Sequence, residues 1–143
     1  MKVKNTSICI LASLFLASCA GSGVKQTSDG VVVTIPQQEQ TDVKQIRLQV
    51  KGEKLIRVSA TPENKFSDRE SLIIVPQESH TPFSVEQTDS TVSLLTSEVR
   101  ATVCKHTGEV VFSDLEGNVI LAENHGGGKT FSPIEVEGKK QYS

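Results

Sequence analysis

Glu109-Val110-Val111-Phe112-Ser113-Asp114-Leu115-Glu116-Gly117-Asn118-Val119-Ile120-Leu121 is the stretch that decides the fold class of this chain. Two short apolar runs, 110–112 and 119–121, flank a polar segment that contains Gly117 and Asn118. Glycine and asparagine tolerate the positive φ that a tight reversal requires, so the stretch is expected to form a β-hairpin. Thr107-Gly108 marks another turn just before it.

The same grammar extends outward. Ile46, Leu48 and Val50 alternate with Arg47, Gln49 and Lys51; Ile56, Val58 and Ala60 alternate with Arg57, Ser59 and Thr61. Val99, Ala101 and Val103 alternate with Arg100, Thr102 and Cys104. Period-two alternation is the pattern of a strand with one face toward a core and one toward water. Val31 to Ile35 and Leu72 to Val75 are continuous apolar runs closed by Pro36 and Pro76, which suits more deeply buried strands. Phe83 to Gln87 and Thr91 to Thr96 add two more, with Asp89-Ser90 as the turn between them. No long window after residue 18 carries a helical stripe. Roughly eight short antiparallel strands joined by polar turns predict an all-β antiparallel sandwich.

The N-terminus carries a different message. Lys2 and Lys4 precede an apolar stretch, Ile8 to Leu16, that is too short to span a bilayer and matches the core of a secretory signal. Leu16-Ala17-Ser18-Cys19 resembles a lipobox, in which Leu16, Ala17 and Ser18 are read by the signal peptidase and Cys19 becomes the lipidated N-terminus. Several acyl chains give a durable anchor where one would bind only marginally. Residues 1–18 are therefore expected to be a lipoprotein signal and 19–29 a lipidated cysteine with a flexible Gly/Ser-containing tether. Residues 30–143 then form the sandwich domain. The implied location is exported and membrane-anchored, and Ala20, in place of an aspartate after Cys19, favours the outer membrane. At the other end, residues 135–143 resemble a strand, a turn and the start of a further strand, which suggests a sandwich incomplete at its C-terminus.

Composition narrows the function. Of 15 basic residues two, Lys2 and Lys4, lie in the signal, against 17 acidic residues. That balance offers no basic patch for nucleic acid. Of three cysteines, Cys9 leaves with the signal and Cys19 is lipidated, so Cys104 has no partner for an internal disulfide and is expected to be a small, partly buried side chain. Gly128-Lys129-Thr130 ends like a phosphate-binding loop, but the first glycine of that motif would fall at Glu123 and no helix is expected to follow. His125-Gly126-Gly127-Gly128 resembles the oxyanion loop of some esterases, yet no G-x-S-x-G elbow accompanies it. His80, His106 and His125 lack the spacing of a metal pair, and a Cys104/His106 half-site falls short of the ligands zinc requires. Asp68 and Glu70 around Arg69 suggest local ion pairing. No catalytic residue, metal site or cofactor is expected in this chain.

Three stretches taken in order resemble one family. They are Leu55-Ile56-Arg57-Val58-Ser59 with Phe66-Ser67-Asp68-Arg69-Glu70-Ser71-Leu72; Val92-Ser93-Leu94-Leu95-Thr96-Ser97-Glu98-Val99 with Val103; and Thr107-Gly108-Glu109-Val110-Val111-Phe112 through Asp114, Gly117 and Asn118 to Ile120-Leu121. Together they resemble the N-terminal β-sandwich of glycoside hydrolase family 31, the α-glucosidases and α-xylosidases. The resemblance implies a galactose mutarotase-like fold that flanks a catalytic barrel. It also implies that the oligosaccharide substrate is met through that barrel. The family's Tyr-Gly-Leu-Gly segment and the Trp-x-Asp stretch with the nucleophile are not in this sequence, which contains no tryptophan. Retaining hydrolysis needs two carboxyl groups about 5–5.5 Å apart, and neither is carried over to this chain. The expected function is that of a non-catalytic domain of an exported α-glycosidase. The alternative is a freestanding β-sandwich lipoprotein that binds glycans or a partner protein. Against it stands the scarcity of aromatic residues, with Tyr142 the only tyrosine.

Overall fold

The computed structural model describes residues 23–67 and 80–142, and their architecture is all-β. The expected signal at 1–18, Cys19, the strand at 72–75 and the ion pairing around Arg69 lie outside the described residues. Strands β1 (Val24–Thr27), β2 (Gly30–Thr34), β3 (Gln45–Gly52) and β4 (Leu55–Thr61) form one antiparallel sheet in chain order. Strands β5 (Ser84–Gln87), β6 (Thr91–Leu95), β7 (Arg100–Cys104), β8 (Val110–Ser113) and β9 (Val119–Ala122) form a second, again in chain order. Each sheet is thus a meander of neighbouring hairpins, the topology that short polar turns allow.

The two sheets face each other across one core. Register places Leu48 between Val31 and Val58, and Ile46 between Val33 and Ala60. These side chains share one face of the first sheet because residues two apart point the same way. Opposite them, Val92, Leu94, Ala101 and Val103 line the inner face of the second sheet. Val31, Val33, Ile46, Leu48, Val92, Leu94 and Val103 are fully buried. The alternation expected in β3, β4 and β7 therefore carries the core, with Val58 and Ala60 half-buried against it.

Two hydroxyl contacts add to this packing, one across the second sheet on the face away from the core and one between the sheets. Ser93 and Thr102, cross-strand partners in β6 and β7, share a hydrogen bond of 2.8 Å. Thr96 accepts from the Val99 N–H at 3.1 Å and donates to the Glu53 carbonyl at 2.5 Å, so it clasps the β6–β7 turn to the β3–β4 turn of the other sheet. Gly30 allows β2 and β3 to approach: a Cβ there would lie 1.9 Å from the Leu48 carbonyl oxygen.

The structure differs from the sequence reading at two places. Val24–Thr27 falls inside the stretch expected to be a tether, yet it is a strand, paired from Val24↔Val33 to Thr27↔Gly30. Its residues carry little apolar signal, and the neighbour β2 imposes the extended form. In the β8–β9 turn only Gly117 takes a positive φ, at 93°. Asn118 instead donates its backbone N–H to Asp114 Oδ1 at 2.7 Å and its side-chain amide to Oδ2 at 2.8 Å.

A small separate hairpin, β10 (Pro133–Val136) and β11 (Lys139–Tyr142), follows the strand–turn–strand pattern expected there. Its two-residue turn, Glu137-Gly138, has φ of 52° and 71°. Positive φ at both central positions is the geometry of a type I′ hairpin.

Candidate functional site

A polar concavity gathers around the loop that follows β9. A cleft of about 290 Å³ lies between Val43, His106, Thr107 and the segment from Gly126 to Thr130. Thr130 bridges Asp42, and the Phe131 N–H donates to the Thr41 carbonyl at 2.8 Å, so the loop is bound to the first sheet's β2–β3 connection. Gly126 and Gly127 both have positive φ, 87° and 84°, and a Cβ on Gly127 would sit 2.6 Å from the Thr107 carbonyl oxygen. Glycine is required there by conformation and by space.

Two carboxylates pin this loop. Glu109, at the start of the β8 hairpin, accepts the Gly126 N–H at 3.0 Å and lies 3.5 Å from His125 Nδ1. Glu123, just past β9, accepts the Val110 N–H at 3.0 Å and ion-pairs with the Lys129 ammonium. Lys129, largely buried, also donates to the Gly108 carbonyl at 2.9 Å.

These bonds dispose of the chemical readings of the loop. Lys129 is engaged by Glu123 and Gly108 and is not aimed at an open anion site, and no helix follows Thr130 among the described residues. The Gly126 amide serves Glu109 and the Gly127 amide bonds the Asn124 carbonyl at 3.0 Å, so neither is free to bind an oxyanion. His80, His106 and His125 do not converge, and among the described residues no three His, Cys, Asp or Glu side chains could share a metal ion. Cys104 is half-buried and free. Burial pushes its thiol up, but hydrogen bonds from the Thr107 hydroxyl and from the His106 and Thr107 backbone outweigh this and leave it below its ordinary value. The aromatic rings are engaged as well. Tyr142 packs edge-on against Phe131 with centroids 6.3 Å apart and bonds Glu63 at 3.1 Å, while Arg47 lies 4.4 Å over the Phe66 ring.

A second concavity is apolar. A groove of about 450 Å³ runs between Leu55 and Ile56 of β4, Val99 before β7, Phe112 of β8 and Ile120 and Leu121 of β9. The sequence reading did not single it out. Its signal was the unbroken run Val119-Ile120-Leu121, which leaves β9 without a water-facing side.

Taken together, these features define an antiparallel β-sandwich domain whose polar residues hold its own loops in place. No family model matches the chain. Among solved structures, it is similar to a GH31 α-xylosidase from Xanthomonas citri, with a TM-score of 0.74 and 36% identity over 83% of this chain. A GH31 α-xylosidase from a soil metagenome, solved with xylose, shares the fold over 83% of this chain at a TM-score of 0.59 and 16% identity. The chain belongs to glycoside hydrolase family 31 and corresponds to a β-sandwich domain of such an enzyme. It spans 12% of the first of those chains and 19% of the second.

Proposed function

We propose that these residues are the N-terminal, non-catalytic part of an exported α-glycosidase that releases α-linked xylose or glucose residues from oligosaccharides. The observation that carries this reading is the 36% identity to an α-xylosidase over 83% of the chain. The sandwich flanks the catalytic barrel, a loop of it shapes one wall of the substrate pocket, and Cys19 ties the enzyme to the membrane. Both carboxyl groups of the retaining reaction reside in the barrel. The Glu109 and Glu123 carboxylates of this chain are occupied in fixing the loop around Gly126.

The test is to assay the complete gene product on p-nitrophenyl α-xyloside and α-glucoside. Release of nitrophenol from one of them is expected; failure to cleave any α-glycoside would overturn the reading. Anchoring is checked on the same protein by incorporation of labelled palmitate. Cys19→Ser is expected to abolish labelling and release the enzyme from the membrane fraction, and labelling that survives the change would contradict the assignment.

A further inference from the structure

Strand β9 carries more apolar surface than a finished sheet edge should. Val119, Ile120 and Leu121 are 63–64% exposed, and because they are consecutive they cover both faces of the strand. Exposed edges in soluble proteins are normally blunted by charge or proline, and residues 119–122 contain neither. β9 pairs only with β8 among the described residues, so its other side presents backbone groups without a strand partner. The apolar groove floored by Phe112 and walled by Leu55 opens alongside, with Leu55 itself 61% exposed.

We propose that a β-strand from the rest of the glycosidase polypeptide adds to the free edge of β9 and lays apolar side chains into this groove. The proposal rests on the family 31 reading above. Four arguments favour that occupant. A run of consecutive aliphatic residues is the pattern of a strand enclosed on both faces. A strand satisfies the unpaired backbone groups as well as the side chains, which a helix face does not. The related chains are several times longer than the matched stretch, so ample covering chain lies within the same molecule. A tethered segment also binds at a high effective concentration, without the entropy cost of recruiting a second molecule.

The test uses the complete gene product, with its α-glycosidase activity measured on the same sample. Hydrogen exchange is read on the peptide spanning 118–123. All amides of β9 are expected to exchange slowly, those facing away from β8 on the order of 100-fold more slowly than an open edge allows. A photo-crosslinker, p-benzoylphenylalanine, placed at position 120 is expected to join a peptide outside the present sequence. An active enzyme whose outward amides exchange like those of a loop would overturn the proposal and leave the family reading standing. Crosslinking to residues 68–79, to the N-terminal segment or to a second copy would overturn it equally. A complete product without α-glycosidase activity would remove the reading itself, and the proposal with it.

Discussion

Strands β7 and β9 lie on either side of β8, both carry aliphatic side chains, and these side chains meet opposite fates. Ala101 and Val103 of β7 are fully buried, while Val119, Ile120 and Leu121 of β9 are about two-thirds exposed. Both strands pair with β8 and both belong to the same sheet. The difference is what lies across the sheet. Ala101 and Val103 share one buried cluster with Val33, Ile46 and Leu48 of the first sheet, whereas no β9 side chain belongs to it. Local pattern makes a strand; burial requires a second layer.

That contrast can be broken or sharpened by substitution. The largest effect is expected from Leu48→Ala, which opens a cavity in the covered half and should cost about 2–5 kcal/mol in urea unfolding. The same deletion at Leu121, 63% exposed, should cost less than about 0.5 kcal/mol in the 143-residue chain. Equal losses at the two positions would erase the distinction between the halves. Thr96→Val removes the clasp between the sheets and leaves the Glu53 carbonyl without its donor. A loss of about 1–3 kcal/mol is expected, measured against wild type by thermal unfolding.

Gly127→Ala should cost about 1–2 kcal/mol from its left-handed backbone alone, with the Thr107 carbonyl contact added. Proteolysis within residues 124–130 should speed up if the loop is loosened as expected. Glu137→Asn works in the other direction. Asparagine suits the positive φ at 137, and a gain of a few tenths of a kcal/mol is expected from its preference for type I′ turns, read as slower exchange in the β10–β11 hairpin.

The smallest effect concerns pH. Burial raises the Asp29 carboxyl, but hydrogen bonds from Gln49 and Thr27 and the charge of Lys51 outweigh it and hold its pKa below the ordinary value. Its stabilisation is therefore present above the ordinary aspartate range and lost as pH falls through the depressed value. Asp29→Asn should flatten the acid limb of the stability profile, and an unchanged limb would contradict the assignment.

Much of this fold was legible because it rests on local rules. The alternation through Ile46, Leu48 and Val50 marked β3 and its inward face, and all three are buried. Glu109 to Leu121 marked the β8–β9 hairpin. β1 was not legible, since Val24-Lys25-Gln26-Thr27 has no apolar rhythm and is extended only because β2 lies beside it. The pinning of the glycine loop was hidden for a related reason. Glu109 and Glu123 come from opposite ends of a hairpin, and only the folded register brings them to Gly126 and Lys129. The family could be read from turn and strand patterns, whereas the exposed groove required the two sheets in place, because it is defined by where one stops covering the other.

The most direct test of the central claim is the nucleotide sequence that follows the codon for Ser143. The account predicts an open frame running on into a catalytic barrel with a Trp-x-Asp stretch. A stop codon directly after Ser143 would contradict it and leave the sandwich without an enzyme to belong to.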